Sequence, residues 1–179
     1  MFSLAIHGGA GTLPKQEMST AMEAACRAAL RAALHAGKDI LAGGGSALDA
    51  VTSAVSELEN QELFNAGRGA VFNAAGEHHL DASIMDGSNG QAGAVAAVQG
   101  IKNPVQLARE VMLHSPHVLL TGKGAEEFAA SRHIPRTPES YFFTSRRYYQ
   151  YLLARQQDQV LLDHAQYTSP KGKIGRAHV

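Results

Sequence analysis

One cysteine, Cys26, is all that 179 residues provide, and a lone thiol makes no internal disulfide framework. A reducing compartment suits such a chain. Charge of either sign is not in excess either: sixteen basic residues meet sixteen acidic ones. No net field therefore attracts nucleic acid, an anionic membrane or a polyanionic partner, and a small, nearly neutral ligand fits better. Apolar runs are short, well under the roughly 20 residues of a membrane span. The opening "MFSLAIHGG" has no basic n-region and no signal-length apolar stretch, so the expected location is the cytoplasm.

What is present is a core: 45% of the residues are hydrophobic, enough for one domain of ordinary size. Phe2 to Ile6 reads as a buried strand running into the glycine loop "HGGAG". From Lys15 to Leu41, apolar and alanine positions recur at three and four, which predicts a long helix. "GGG" at 43 to 45 breaks it, and Ser46 with Asp49 forms a near capping box for a second helix over 47–58. "AVFN", "HHLDASIMDG" and "QAGAVAAVQG" read as three strands of an antiparallel meander. Asn103 as N-cap and Pro104 at the first position start another helix, a further one spans "GAEEFAASRH", and the last begins at Glu139 or Ser145. Residues 161–179 read as a flexible polar tail. The expected class is a layered α/β or α+β domain over 1–160.

Several motifs invite chemistry. "HGGAG" lets amides approach a ligand, although an esterase reading fails because "GGGSALD" has Leu48 where the last glycine of a nucleophile elbow belongs. "TGKG" at 121 to 124 lacks the spacing of a phosphate loop. His78, His79 and Asp81 would ligate a metal only with a further ligand, and read better as a sheet-surface group. "SRRYYQYLLARQ" suggests single-stranded nucleic acid by composition, but reads better as an amphipathic helix packing its tyrosines. "LENQELFNAGRGAVF" folds tightly enough to point backbone carbonyls inward, which suits a hard cation, and Asn65 has two donors and an acceptor for a reactive neighbour. The residues alone leave a plain loop open beside a cation cage.

"AIHGGAG", "LFNAGRGAVFN", "LDASIMDG", "AGAVAAV", "NPVQLAREVM" and "SPHVLLTGKGAEEFA", in this order, resemble the plant-type L-asparaginases, which also act as isoaspartyl (β-aspartyl) peptidases among the N-terminal-nucleophile hydrolases. The similarity runs from Leu4 to Leu162. It implies half of an αββα sandwich, made as a precursor that cleaves itself before a threonine into α and β chains. That threonine then attacks L-asparagine or a β-aspartyl dipeptide. The resemblance also implies a structural sodium ion on the carbonyls of Leu58, Glu59, Gln61, Phe64, Ala66 and Arg68, and no catalytic cofactor. Asn65 would sit against the nucleophile with Gly8 and Gly9 behind it. The implied partner is the β subunit from the same precursor in an (αβ)2 assembly, with no nucleic acid and no membrane.

One departure stands out: "KGKIG" is followed by Arg176 where the family has the threonine. Arginine has no hydroxyl, so the nucleophile is absent and this chain alone is expected to be inactive. "IGRAHV" matches one translated frame of a widely used sequencing adapter, so Ile174 to Val179 is expected to be non-native and the chain a truncated α subunit. An ordinary charged tail is the other reading. The alternative functions are a degenerate module binding a small amino acid or a partner protein, and the N-terminal part of an aspartylglucosaminidase-like hydrolase.

Overall fold

The structure is a computed structural model that describes residues 1–9 and 18–157. The polar tail and the Gly175–Arg176 junction lie outside the described residues. The first long helix, α1 (Thr20–Ala42), starts where Ser19 Oγ accepts the Met22 amide at 3.1 Å. It stops at the glycine run, where Gly44 takes φ +82° and the Gly45 amide donates back to Ile40. Helix α2 (Ala47–Glu59) then packs antiparallel-fashion as a close neighbour, its start fixed by the capping box foreseen above: Ser46 Oγ accepts the Asp49 amide at 3.0 Å and donates to Asp49 Oδ2 at 2.6 Å. The two helices approach through small residues. A Cβ on Gly37 would sit 3.3 Å from Ala54 Cβ and 3.0 Å from the Ala50 carbonyl, so glycine is what permits the spacing.

The sheet has three strands in the order β1 (Leu80–Met85), β2 (Ala92–Val98), β3 (Leu119–Thr121). β1 and β2 pair antiparallel; β2 and β3 pair parallel. Between β2 and β3 runs α3 (Pro104–His114), the crossover a parallel pair needs, and α4 (Gly122–Ser131) and α5 (Ser145–Gln157) follow. The core forms where α3 and α4 cover one sheet face: Leu80, Ile84, Val95 and Val98 meet Val105, Leu107, Ala108, Val111, Ala125 and Ala129. Alternation leaves the other face open, with Asp81, Ser83, Met85, Leu119 and Thr121 exposed.

Two expectations are corrected. The meander is not a meander, because "AVFN" joins no ladder. Its donors are spent locally: the Ala70 amide goes to the Gly67 carbonyl, the Val71 amide to Asn65 Oδ1, and Asn73 folds the chain back on Glu77. The third strand is instead "LLT", which the sequence reading passed over. Phe2 to Ile6 forms no strand; no described strand pairs with it, and Leu4 lies in the α1–α2 groove at Gly37. Of the two starts expected for the last helix, Ser145 is the one observed, and Glu139–Tyr141 is a separate 3-10 turn.

Candidate functional site

The loop from Asn60 to Asn73 is built on the end of α2. Its centre is a 3-10 turn, Gly67–Gly69, with Gly67 at φ +49°, a region that favours glycine. Both glycines are pressed against main-chain carbonyls. A Cβ on Gly67 would collide with the Glu59 carbonyl oxygen, and one on Gly69 would collide with that of Phe64 and lie 2.9 Å from that of Gln61. The carbonyls of Gln61 and Phe64 therefore both press on Gly69, and that of Glu59 presses on Gly67. That of Ala66 accepts the Gly69 amide at 3.0 Å, and that of Leu58 accepts the Gln61 amide at 3.2 Å and is met by the Asn60 amide as well. Arg68 points its side chain outward, bonded to Glu62 at 2.6 Å with its guanidinium 5.5 Å from the Tyr141 ring.

Asn65 is exposed, and its Oδ1 accepts the Val71 amide at 3.0 Å. Since that oxygen must face an N–H, the carboxamide is oriented and its Nδ2 donors remain available. The opening glycines come to the same place: a Cβ on Gly8 would be 3.1 Å from the Phe64 ring and 3.0 Å from Leu30. Gly9 takes φ +111°, held by its amide donating to His7 Nδ1 at 3.1 Å. The structure thus brings the "HGG" segment against "LFN", two motifs separated by more than fifty positions.

Two buried charged side chains brace this loop. Glu59, 2% exposed, accepts the Val105 amide on Oε1 at 3.0 Å, satisfying a helix-start donor of α3. Burial pushes its carboxyl up to about 7, against the Val105 amide and the Asn103 side chain. Asn103 occupies the N-cap position foreseen for it, yet its side chain makes no cap bond; its Nδ2 reaches the Ser56 carbonyl and Asn60 Oδ1. Arg147, 1% exposed, donates from Nε to the Gly69 carbonyl at 2.6 Å. Sequence reasoning missed it among the arginines of α5. The signal was its place one turn into a helix behind Thr144, whose Oγ1 accepts the Arg147 amide at 3.3 Å.

The other candidate motifs disperse. His79 pairs with Glu77 at 3.2 Å, Asp81 Oδ1 takes the amide of Ala97, a residue at φ +53°, and His78 turns inward. His78 is thus no surface group, and no cluster of three metal-ligating side chains forms among the described residues. Lys123 of "TGKG" is exposed and 4.0 Å from Glu127 in the same helix. A cleft of about 460 Å³ opens beside His78, lined also by Gln99, Arg136, Thr137 and Glu139, and neither Asn65 nor the opening glycines line it.

His78 stacks on Phe72 at 4.0 Å between ring centroids, and burial holds its pKa below the ordinary 6.5. The unfolded chain then binds the proton more readily than the folded one, so stability is retained above pH 6.5 and lost as pH falls through the depressed folded value. In urea titrations at pH 7 and pH 5, the H78F variant is expected to lose less stability on acidification than the unsubstituted protein; equal losses would remove His78 from the acid response.

A protein-family model described as Asparaginase matches residues 1–176. The chain is 49% identical to an isoaspartyl peptidase of Escherichia coli over 162 residues, covering 90% of this chain and 50% of that protein. It is 57% identical over 110 residues to an isoaspartyl peptidase/L-asparaginase of Rattus norvegicus, covering 62% and 33%. With the Homo sapiens isoaspartyl peptidase/L-asparaginase it shares 46% identity over 139 residues, covering 78% and 44%. The chain spans about half the length of the curated relatives it matches. No described helix is long and apolar enough to cross a membrane.

Proposed function

The chain belongs to the asparaginase family, and from that premise we propose that it is the α portion of a threonine-nucleophile hydrolase of β-aspartyl dipeptides and L-asparagine. The observation that carries this is the paired loop geometry: Gly8 packed on Phe64, and Asn65 oriented by Val71 with its amide donors free. An exposed carboxamide on a loop braced from two sides suits holding a reactive hydroxyl or the charge that develops on an attacked carbonyl.

In this reading the nucleophile arrives with a β segment following a Gly-Thr junction in the same precursor. Its hydroxyl attacks the preceding glycine carbonyl, an ester replaces the peptide bond and frees the threonine amine, and water then cleaves the ester to leave a glycine carboxylate and the threonine hydroxyl. That amine then takes the hydroxyl proton as the hydroxyl attacks the substrate's side-chain carbonyl. Ammonia or an amino acid leaves, and water resolves the acyl-enzyme to aspartate. Asn65 is the group of this chain that meets the reacting atoms.

The second sheet of a sandwich would lie on the open face that carries Ser83, Met85, Leu119 and Thr121, and two αβ units would assemble into (αβ)2. The lone thiol of Cys26 suits a cytoplasmic enzyme.

The carbonyls of Glu59, Gln61 and Phe64, pressed against the Gly67–Gly69 turn, with those of Leu58, Ala66 and Arg68 close by in the chain, fit a sodium ion in that they are neutral, hard oxygen donors gathered on one short stretch. A bound sodium would supply a fixed positive charge that holds the loop's shape. It takes no part in the bond-breaking steps.

The test uses the complete product of the parent gene. Aspartate release from β-aspartyl dipeptides and ammonia release from L-asparagine are expected, together with two fragments of which the second begins at threonine. A parent gene without a downstream Gly-Thr junction, or an intact and inactive product, would favour the non-catalytic binding module.

A further inference from the structure

We propose that Arg147 is a positioning residue for this reaction: from α5 it fixes, through the Gly69 carbonyl, the limb of the loop that orients Asn65. The inference rests on the function proposed above, and its test separates the two.

Arginine is almost never fully buried without partners that justify it. Arg147 is 1% exposed, whereas Arg155 in the same helix is exposed. Its Nε meets the Gly69 carbonyl at 2.6 Å, a short, charge-assisted hydrogen bond. Its Nη1 donates to Gln150 Oε1 at 3.0 Å, and the Thr144 hydroxyl accepts its amide, so the side chain and the first turn of α5 are anchored together.

What Arg147 grips is a hub. Gly69 donates its own amide to Ala66, its Cα is pressed against the Phe64 and Gln61 carbonyls, and its own carbonyl is held by Arg147, so the turn is fixed by the Gln61–Phe64 segment and by Arg147 together. Two residues on, the Val71 amide holds Asn65 Oδ1 at 3.0 Å. A shift of Gly69 moves Val71, and a shift of Val71 rotates the carboxamide. Displacements of this kind cost rate because reacting groups demand near-attack geometry.

R147K keeps the charge but loses the fixed guanidinium geometry. In the complete gene product it is expected to lower kcat about tenfold with KM within about twofold. In an N65A background the same substitution is expected to change kcat by less than about twofold, since Arg147 acts through Asn65. An undiminished kcat in R147K, or an equal tenfold loss with and without Asn65, would overturn the proposal.

Q150M removes the Nη1 acceptor and is expected to lower kcat about threefold by the same route, again only with Asn65 in place. A further readout needs no activity: in R147K, hydrogen exchange at the Val71 amide should rise about tenfold, and unchanged exchange would sink the proposal. Should the unsubstituted product turn over neither substrate, the proposed function fails, and Val71 exchange alone decides the positioning claim.

Discussion

Gly69→Ala is expected to cost roughly 3 kcal/mol of stability in the complete gene product, on the order of 6–12 °C in Tm, and to remove turnover with it. The reason is geometric. The added methyl would collide with the Phe64 carbonyl oxygen and stand 2.9 Å from that of Gln61, and both obstacles are backbone rather than the yielding end of a long side chain. The turn cannot back away, because Arg147 holds its carbonyl from the other side. Relief must come from opening the carbonyl cluster, so any stabilisation by sodium in the unsubstituted protein should disappear in the variant. Gly124→Ala is the control: nothing lies within 4 Å of its Cβ, it sits in α4, and alanine there should be neutral or stabilising by up to about 1 kcal/mol. A G69A melting curve matching that of G124A would end the account of a filled turn.

How far the sequence foretold this loop depends on which interactions are local. Ser46 with Asp49, the glycine stop at 43 to 45 and Pro104 at a helix start are each written within a few residues, and these boundaries stand where they were expected, whereas α1 begins at Thr20 and the Lys15 expected to open it lies outside the described residues. "AVFN" misled because apolar residues in an extended pattern say nothing of where their amides go. Here Asn65 and Gly67 had already taken those of Val71 and Ala70. Leu119–Thr121 escaped because three residues with two exposed side chains carry almost no pattern, and only the distant β2 makes them a strand. Glu59 and Arg147 were invisible as braces for the same reason. A charged residue reads as surface until its partner, Val105 in one case and Gly69 in the other, is brought to it by the fold. Asn65, by contrast, stands out by its carboxamide within a glycine-flanked loop, and motif order, not periodicity, is what gives it a role in the proposed site.

Asn65→Ala should lower kcat of the complete gene product by about 10²-fold or more while costing only about 1 kcal/mol of stability. The small stability cost follows from exposure: the side chain gives up one hydrogen bond, to the Val71 amide, and leaves no cavity. The large kinetic cost follows from which atoms are engaged. Oδ1 accepts and only Nδ2 donates, so negative charge that Asn65 stabilises must be met by Nδ2, and a donor aimed at developing negative charge counts most in the transition state. Asn65→Asp separates the two jobs, because aspartate keeps an acceptor for Val71 and loses the donor. It should melt close to the unsubstituted protein and yet be at least as slow as N65A, since a carboxylate would repel the charge an amide attracts. If N65D instead retained most of the turnover, Asn65 would be a loop brace and the donor to the reacting atoms would have to come from elsewhere, such as the Gly8 amide, since that of Gly9 is held by His7 Nδ1.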